Sequence, residues 1–385
     1  MTLLTLRSHQ REALDVILRK KRGTVKAATG TGKTIIAIEW IREISVDTLI
    51  VVPTQALIFQ SWAPKLQEAG LLEVGQYYAY AKSSGPVVIT TYSSATSHPE
   101  LVERAEAVVL DEIHHLGART ALLKLLPRLK TKEYVLGLSA VPERGDMAHS
   151  LFLKEFPICF DLGLGEAVET GIVSPLNVMA IPSEMTAAER KSYESNTALI
   201  KAAFSFCGPS FAKWAHCYNP KTKQFVGRNG MLAITRRKKL LSRIQSKKEK
   251  ILAIVKKHED EPIILFSESV LAIEEIKEFL SENGVKSETF HSQVEPWRRM
   301  EILHDWGRTF NVLLSVRALE EGLDVEEVGV AILITSGKSK RQFIQRIGRI
   351  IRRVEGKVAK FYVVYCPETV EETYITTIQK ILNTE

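Results

Sequence analysis

Two blocks of the chain alternate short apolar runs with helix-like stretches, and this pattern limits the architectures that the chain can adopt. The apolar runs lie at 48–52, 86–90, 107–110 and 134–138 in the first block, and at 262–267, 285–290, 311–315, 328–335 and 359–366 in the second. One of the helix-like stretches between them is 54–69, which we predict as a single helix. Strands that alternate with helices in this way form parallel sheets covered by helices on both faces. We therefore predict an α/β fold with two doubly wound parallel-sheet domains in tandem.

The residues between the two blocks follow a different pattern. From 186 to 241 the β-like alternation is lacking, and the pairs GP at 208, NP at 219 and NG at 229 are turn signals. We interpret this stretch as a small, mainly helical insertion. A length of 385 residues suits two or three domains. The predicted division is a first domain at 1–180, the insertion at 181–245 and a second domain at 246–385.

The stretch 26–34 reads KAATGTGKT, which is the pattern of a phosphate-binding loop with Ala27 in place of the first glycine. It follows a β-like run at 23–26 and opens an apolar helix at 34–44, so that backbone N–H groups at the helix start can bind a nucleoside triphosphate. We expect Lys33 to reach the β- and γ-phosphates and the Thr34 hydroxyl to bind Mg²⁺. The alternative is a glycine-rich turn that binds nothing. The predicted contacts of this loop are Thr29, Gly30, Thr31, Gly32, Lys33 and Thr34.

A pair of carboxylates follows an apolar run in the same block. The segment 108–115 reads VVLDEIHH and places Asp111 and Glu112 directly after a predicted strand. A carboxylate in this position can hold Mg²⁺ through its water shell, and its neighbour can polarise the attacking water. We assign Asp111 to the metal and Glu112 to the role of general base. The alternative is that the pair only caps the helix that follows.

The basic residues are concentrated in one stretch. The chain carries 52 Lys and Arg against 45 Asp and Glu, a net charge of +7, and residues 236–257 read RRKKLLSRIQSKKEKILAIVKK. A stretch of this density attracts a polyanion, and nucleic acid is the commonest polyanion in a cell. The alternative is a solvated helix face, because apolar residues recur in this stretch at helical spacing.

The composition also excludes several classes of protein. No apolar run approaches the roughly 20 residues that a membrane span needs, and the first residues lack a signal-peptide pattern. The four cysteines, Cys159, Cys207, Cys217 and Cys366, are scattered, which favours reduced thiols over a disulfide framework or a zinc site. We expect a cytoplasmic, nucleoid-associated protein, or a nuclear one if the source is eukaryotic.

The phosphate loop and the Asp-Glu-x-His sequence at 111–114 together resemble superfamily 2 helicases and translocases, whose remaining motifs occur here in order. The matching segments are LRSHQ at 6–10 (adenine contact), VPTQ at 52–55 (motif Ia), ITTY at 89–92 (motif Ib), DEIH at 111–114 (motif II), GLSAVP at 137–142 (motif III), ILFS at 264–267 (motif IV), ALEEGLDV at 318–325 (motif V) and QRIGRIIR at 345–352 (motif VI). Nearly the whole chain is covered by this resemblance. It implies two tandem RecA-like domains that enclose ATP and Mg²⁺ in the cleft between them.

The resemblance also assigns roles to further residues. Arg7 and Gln10 are expected near the adenine, and residues of motifs V and VI complete the nucleotide site from the second domain. The predicted residues of that half are Gly322, Asp324, Gln345, Arg349 and Arg352. Of these, Arg349 and Arg352 lie three residues apart on a helical motif, so that both can stabilise the charge of the γ-phosphate. Motifs Ia, Ib, IV and V, together with the insertion, are expected to contact nucleic acid.

Within the superfamily the motifs are similar to those of the XPB-like group, especially its compact archaeal members, in which a helical thumb occupies the position of the insertion. This resemblance implies an ATP-dependent DNA helicase or translocase with 3′ to 5′ polarity that acts in DNA repair or transcription-related remodelling. A nuclease or a repair or transcription protein is the expected partner, and the chain is expected to be a monomer. The alternatives are an ATP-gated clamp that presents DNA to a nuclease without unwinding it, and an RNA helicase.

Two departures from the XPB-like pattern keep the clamp alternative open. Val141 stands where the family usually has threonine, and a valine side chain forms no hydrogen bond. The Arg-Glu-Asp element that follows motif III in the family is represented by Arg144-Gly145-Asp146, which lacks the central glutamate. Both changes lie where the nucleotide state is expected to be transmitted to the nucleic-acid strand.

Overall fold

The computed structural model describes residues 5–219, 225–316, 328–334, 347–348, 351, 356 and 358–383. Within these residues the chain forms two separate β-sheets and a helical segment between them in sequence. This confirms the predicted fold class of two doubly wound parallel-sheet domains with a helical insertion. In the same residues no helix is both long enough and apolar enough to cross a bilayer.

The first sheet has eight strands in the described residues, in the order β4-β3-β5-β2-β6-β7-β1-β8, and every pair except β3–β4 is parallel. The strands are β1 (Arg22–Ala27), β2 (Thr48–Val52), β3 (Val74–Tyr78), β4 (Ala81–Lys82), β5 (Val87–Thr91), β6 (Ala107–Leu110), β7 (Tyr134–Ser139) and β8 (Ile158–Leu162). The central strands β2 and β6 are buried at every residue. Helices cover both faces of the sheet, which is why these strands read as continuous apolar runs.

Helices connect these strands and cover the sheet. They are α1 (Ser8–Lys20), α2 (Lys33–Ile44), α3 (Gln55–Leu57), α4 (Ala63–Glu68), α5 (Tyr92–Ser97), α6 (Glu100–Arg104), α7 (Arg119–Lys130), α8 (His149–Glu155) and α9 (Leu164–Glu169). A π-helical turn at Ile58–Trp62 joins α3 to α4, and a 3₁₀ turn at Ile113–Gly117 follows β6. The stretch 54–69, predicted as one helix, is therefore interrupted.

The second sheet has six strands in the described residues, all parallel, in the order β11-β12-β10-β13-β14-β9. The strands are β9 (Leu176–Pro182), β10 (Ile263–Ser267), β11 (Ser287–Phe290), β12 (Val312–Val316), β13 (Val330–Leu333) and β14 (Ala359–Tyr365). The accompanying helices are α13 (Gln245–Lys257), α14 (Val270–Glu282), α15 (Pro296–Asp305) and α16 (Glu372–Asn383). Strand β9 pairs with β14 from Leu176 to Pro182, so residue 180, the expected domain boundary, lies inside a strand of the second sheet.

The insertion consists of α10 (Ala187–Cys207), α11 (Phe211–Trp214) and α12 (Val226–Ser242). Thr186 and Glu189 form a capping box that starts α10. Trp214 is fully buried between α10 and α12, whereas Phe211 remains half-exposed. Helix α12 approaches so closely that a Cβ on Gly227 would lie 2.1 Å from the Trp214 carbonyl oxygen, so only glycine fits there.

The expectation of four reduced thiols is wrong in one respect, because Cys207 and Cys217 form a disulfide. The short helix α11 folds back on the end of α10 and brings the two Cα atoms to 6.0 Å, a separation that a disulfide spans. Cys159 and Cys366 are free. The described residues contain no cluster of three or more His, Cys, Asp or Glu side chains suited to a metal ion.

Candidate active site

The phosphate loop lies between β1 and α2, at the carboxyl-terminal edge of the first sheet. Gly30 and Gly32 have φ angles of +90° and +88°, in the left-handed region that strongly favours glycine. Gly32 is the N-cap of α2, so the first N–H groups of that helix lie in the loop. Ala27, the departure from the general pattern, is buried at the end of β1 and has no need of glycine's conformational freedom.

Hydrogen bonds within and beside the loop hold it in place. The Ala28 N–H donates to the Leu162 carbonyl at the end of β8 (3.0 Å), and the Thr31 hydroxyl donates to the Ala28 carbonyl (2.8 Å). The Lys33 ammonium donates to the carbonyls of Ala27 (2.9 Å) and Ala28 (3.3 Å). The cation predicted to bind phosphate therefore lies against the backbone of the loop.

Side chains of helix α1 contact the loop through hydrogen bonds to its backbone. The Gln10 Nε2 donates to the Thr31 carbonyl (3.0 Å), and the Nε2 of His9 lies 2.9 Å from the same oxygen. The Gln10 Oε1 accepts a hydrogen bond from the Arg7 N–H (2.9 Å), so both ends of this amide are engaged. A Cβ on Gly32 would lie 2.2 Å from the Gln10 Nε2. Of the two residues predicted near the adenine, Gln10 therefore lies directly beside the phosphate loop, whereas the Arg7 guanidinium donates to the Ile172 carbonyl (3.1 Å).

Asp111 and Glu112 follow β6 at the same edge of the sheet. The Asp111 Oδ2 accepts a hydrogen bond from the indole N–H of Trp62 (2.8 Å), and its Oδ1 accepts one from the Glu112 N–H (3.0 Å). The Glu112 Oε2 accepts a hydrogen bond from the Ser139 hydroxyl (3.1 Å) and lies 3.2 Å from the His114 Nδ1. Glu112 occupies the N-cap position of the 3₁₀ turn, but its side chain makes no capping bond within the described residues.

The two carboxylates differ in acidity although both lie in the same cleft. Burial, together with the neighbouring charge of Glu112, raises the pKa of Asp111 to about 6. Burial also acts to raise the pKa of Glu112, but the hydrogen bond and charge of His114, the charge of Lys33 and the Ser139 hydroxyl outweigh it and lower that pKa to about 2. Glu112 is therefore ionised at neutral pH. A cation beside Asp111 would favour its ionised form as well.

Motif III contacts motif II directly. Besides donating to Glu112, the Ser139 hydroxyl accepts a hydrogen bond from the Val141 N–H (3.2 Å). The buried Val141 side chain packs in the apolar core, so the position at which the family usually has threonine supplies a backbone contact here. Ser139 thus links the strand β7 and the residues that follow it to the predicted general base.

The Arg144–Asp146 element is tied to motif II as well. The Arg144 guanidinium binds Asp146 through two hydrogen bonds of 2.9 Å and 2.6 Å, and its third contact is the His114 carbonyl (2.9 Å). A Cβ on Gly117 would lie 2.4 Å from the Arg144 Cδ, which shows how closely the side chain crosses the 3₁₀ turn. Arg144 is therefore engaged within the first domain.

Motif VI of the second domain reaches the phosphate loop. A Cβ on Gly348 would lie 2.1 Å from the Thr29 Cβ, and the Ser174 N–H donates to the Ile351 carbonyl (2.8 Å). Ile347 and Ile351 belong to the same core cluster as residues of the first domain. The predicted residues Gly322, Asp324, Gln345, Arg349 and Arg352 lie outside the described residues.

The donor groups of this site fit a nucleoside triphosphate with Mg²⁺. The N–H groups at the start of α2 suit phosphate oxygens, and the Thr34 hydroxyl and Asp111 carboxylate are the oxygen ligands that Mg²⁺ prefers. In addition, the Thr29 hydroxyl is buried without a hydrogen-bond partner among the described residues. A buried polar atom of this kind at the loop is satisfied when a ligand oxygen reaches it.

The basic stretch 236–257 forms the end of α12 and all of α13, and its charges are not all free to bind a polyanion. Lys247 is buried and bonds both carboxylate oxygens of Glu371 and the Ile334 carbonyl. Arg243 and Lys248 flank Glu275. These two cations, together with Arg236 and Lys239, line an open groove between α12, α13 and α14. The sequence left open whether this stretch binds nucleic acid or forms a solvated helix face, and it did not indicate that Lys247 forms a buried ion pair with Glu371.

Sequence reasoning did not identify Trp62, the third element of the carboxylate site. No motif marks this residue, and a helix predicted without interruption over 54–69 gives no reason for its indole to reach β6. The one sequence signal for this residue is its position: a tryptophan stands seven residues after motif Ia, in a stretch that otherwise has the pattern of a helix. Ser139 and His114 lie within recognised motifs, but their contacts to Glu112 depend on the folded chain.

Comparison with known proteins supports the motif assignments. Residues 3–144 match the family model "Type III restriction enzyme, res subunit", and residues 246–354 match "Helicase conserved C-terminal domain". The chain is 29% identical to the DNA 3′-5′ translocase XPB2 of Sulfurisphaera tokodaii, covering 91% of this chain and 79% of that protein. It is 25% identical to the putative DNA 3′-5′ helicase Rad25 of Halobacterium salinarum, covering 99% of this chain and 58% of that protein.

Two further similarities are partial or structural. Over 89 residues the chain is 42% identical to the UvrABC system protein B of Cupriavidus pinatubonensis, covering 22% of this chain and 13% of that protein. The fold is similar to the crystal structure of the Pyrococcus furiosus Hef helicase domain, with a TM-score of 0.60, 17% sequence identity and coverage of 96% and 98% of the two chains. The tandem domains are thus RecA-like, and the matches in both domains make the chain similar in sequence to superfamily 2 helicases of the XPB-like type, which are ATP-dependent enzymes.

Proposed function

We propose that the chain is a Mg²⁺-dependent DNA-stimulated ATPase that uses ATP hydrolysis to move along or open DNA with 3′ to 5′ polarity. The observation that carries this proposal is the contact between the two halves of the site, in which Gly348 of motif VI packs against Thr29 of the phosphate loop. A site shared by two domains can couple hydrolysis to domain movement. The DNA substrate and the polarity rest on the names of the XPB2 and Rad25 relatives.

The residues of the first domain divide the chemistry among them. Lys33 and the N–H groups of the loop bind and orient the phosphates. Thr34 and Asp111 would hold Mg²⁺, which offsets the charge of the phosphate oxygens when it is bound. Glu112, ionised at neutral pH, accepts a hydrogen bond from the attacking water and orients it. Arg349 and Arg352 are proposed to stabilise the γ-phosphate from the second domain.

Residues toward the edge of the site are proposed to recognise the base and the nucleotide state. Gln10 would lie near the adenine, a role supported by its bond to the Thr31 carbonyl of the loop, and Arg7 would lie beside it, since the Arg7 N–H donates to the Gln10 side chain. Gly322, Asp324 and Gln345 are proposed contacts from motifs V and VI by similarity to the family. The Thr29 hydroxyl, which is buried and has no hydrogen-bond partner among the described residues, would be a further contact of the loop with the nucleotide.

We propose the same three-part division of the chain with one adjustment. Because β9 belongs to the second sheet, the first domain would end near Pro175, and the thumb-like insertion would lie between β9 and β10 of the second domain. The thumb would then move with the second domain when the cleft opens. Its nucleic-acid surface would be the groove lined by Arg236 and Lys239, whose contacts to phosphates would weaken with salt.

A panel of polymers tests the proposal. Steady-state ATPase rates are measured without polymer, with single-stranded DNA, with duplex DNA and with RNA, for the wild type and Lys33→Ala. We expect a low basal rate, stimulation by DNA and near-complete loss in the variant. Equal rates with and without polymer would exclude a motor, and stimulation by RNA alone would assign the substrate to RNA.

One observation favours the second candidate, an ATP-gated clamp that presents DNA to a partner nuclease. Arg144, which matches the first residue of the family's DNA-gripping element, is engaged by Asp146 and the His114 carbonyl. A strand-displacement assay separates the two functions: DNA-stimulated hydrolysis without displacement or translocation would favour the clamp. Local similarity to UvrABC system protein B supports a role in DNA repair for either function.

A further inference from the structure

The indole of Trp62 is the one neutral side chain of the described residues that donates a hydrogen bond to Asp111. The Nε1 to Oδ2 distance is 2.8 Å, and the tryptophan side chain is completely buried. A hydrogen bond between a fixed indole and a carboxylate restricts the rotation of that carboxylate and favours its ionised form. Together with the Glu112 N–H, which bonds the other oxygen, Trp62 therefore determines which lone pairs of Asp111 face the nucleotide cleft.

The backbone that carries Trp62 is irregular at this point. The five residues Ile58–Trp62 form a π-helical turn, whereas the residues on either side are α-helical. A π turn contains an extra residue, which rotates every later side chain to a different face of the helix. Such turns cost stability and occur frequently at functional sites. Here the turn ends at the residue that reaches Asp111.

The same helix begins at motif Ia. Thr54 is the N-cap of α3, and its hydroxyl is buried without a hydrogen-bond partner in the described part of the chain. The side-chain oxygen of Gln60, inside the π turn, is also buried without a partner there. Only seven residues lie between Thr54 and Trp62, and they form one continuous helical segment. A shift of motif Ia is thus transmitted to the indole through a short piece of helix.

We propose that Trp62 is a positioning residue that couples nucleic acid at motif Ia to the metal-binding carboxylate Asp111. The inference rests on the proposed function, because it requires nucleic acid at residues 52–55 and a cation at Asp111. Coupling between two ligands is reciprocal, so nucleic acid that shifts the π turn strengthens nucleotide binding and the nucleotide strengthens nucleic-acid binding by the same factor. Without the indole N–H, the affinity for each ligand no longer depends on whether the other ligand is bound.

Two replacements of Trp62 remove the N–H group. Trp62→Phe removes it with part of the ring, and incorporation of β-(3-benzothienyl)alanine at position 62 removes it while preserving the shape of the side chain. The matched control is Trp40→Phe. Trp40 is also completely buried in the first domain, but its indole N–H has no hydrogen-bond partner among the described residues. The control therefore measures the effect of replacing a buried indole by a smaller phenyl ring when no hydrogen bond is lost.

The first measurement is thermodynamic coupling. Fluorescence anisotropy gives the affinity for a labelled duplex with a 3′ single-stranded extension, with and without a non-hydrolysable ATP analogue in Mg²⁺. We expect a coupling factor of about 5- to 150-fold in the wild type and in Trp40→Phe, the usual range for coupled sites, and a factor close to one in both Trp62 replacements. Wild-type coupling in the benzothienyl replacement would overturn the inference, even if Trp62→Phe fails to fold.

The second measurement separates metal positioning from packing. A fluorescent ATP analogue is titrated in Mg²⁺ and in EDTA. We expect the benzothienyl replacement to bind it roughly tenfold more weakly in Mg²⁺ and unchanged in EDTA, as the loss of a hydrogen bond to a charged group predicts. Equal weakening in both buffers would assign Trp62 to packing alone. A wild type without DNA-stimulated hydrolysis would overturn the proposed function itself, which distinguishes the two failures.

Discussion

The phosphate loop and the motif II carboxylates lie at the same edge of the first sheet, yet different interactions hold them. The loop takes its shape from two glycines with positive φ, from bonds to its own carbonyls and from the adjacent helix α1. Asp111 and Glu112 are oriented instead by side chains of Trp62, His114 and Ser139, which lie before and after them on separate elements. The loop is therefore readable from contiguous sequence, whereas the carboxylates depend on tertiary contacts.

This difference predicts where substitutions act. A substitution beside the loop alters one contact to a backbone that other hydrogen bonds already restrain. Its effect on the affinity for the nucleotide is therefore limited. A change around the carboxylates leaves a buried charge with fewer partners, which is costly in a cleft of low dielectric. The largest effects of supporting residues should therefore lie around motif II and at the contact with motif VI.

Replacing the predicted base gives the largest expected effect. Glu112→Gln retains the size of the side chain but not its charge, and we expect kcat to fall about 10²- to 10⁴-fold, the contribution typical of a positioned base. Equilibrium binding of ATP should be retained. Exposed Glu106, which directly precedes β6, supplies the control Glu106→Gln with unchanged turnover. Retained turnover in Glu112→Gln would exclude this residue as the base.

The contact between the domains should be nearly as sensitive. An alanine at 348 would place its Cβ 2.1 Å from the Thr29 Cβ, and overpacking of this kind costs about 1–3 kcal/mol, or roughly 5- to 150-fold in kcat/KM if the cleft must close for catalysis. Gly145→Ala is the matched control, because a Cβ there meets nothing within 4 Å. Thr29→Gly removes the opposing Cβ and should restore part of the activity of Gly348→Ala. Full activity in Gly348→Ala would show that the two residues separate during turnover.

The central strands could be predicted from the sequence because they are apolar on both faces. The runs at 48–52 and 107–110 coincide with β2 and β6, which helices cover on both sides. The strands β3, β4, β8 and β9 were not predicted, since they carry mostly polar or half-exposed residues, and all of them except β3 lie at sheet edges. An edge strand forms hydrogen bonds to one neighbouring strand only. The neighbour of β9 is β14, which lies about 180 residues later in the chain.

The functional residues divide in the same way. Gly30, Lys33, Asp111 and Glu112 were found because each motif requires a residue type at a fixed spacing, and the structure brings all four to one edge of the sheet. The indole of Trp62 could not be found, because its direction depends on a π turn that leaves no spacing signal. The burial of Lys247 was hidden for a related reason, since its partner Glu371 is 124 residues distant.

The Ser139 hydroxyl should show an intermediate effect. It donates to Glu112 and accepts from the Val141 N–H, so Ser139→Ala removes two contacts at once. We expect kcat to fall roughly tenfold, with little change in KM, because the base loses orientation while the phosphate loop is unaffected. Ser287→Ala is the control: that serine is buried in β11 of the second sheet, and its hydroxyl has no partner among the described residues. Equal effects of the two substitutions would indicate general destabilisation.

The smallest expected effect lies beside the loop. Gln10→Glu keeps the acceptor for the Arg7 N–H but replaces the amide that donates to the Thr31 carbonyl. His9 contacts the same carbonyl oxygen and remains, so the loop should keep its shape. A single hydrogen bond contributes about 0.5–1.5 kcal/mol, and we therefore expect KM for ATP to rise roughly two- to tenfold while kcat stays near the wild-type value. ATPase assays over a range of ATP concentrations separate the two constants. If kcat fell as steeply as in Ser139→Ala, the loop would depend on its neighbours as strongly as the carboxylates do, and the distinction between the two halves of the site would be lost.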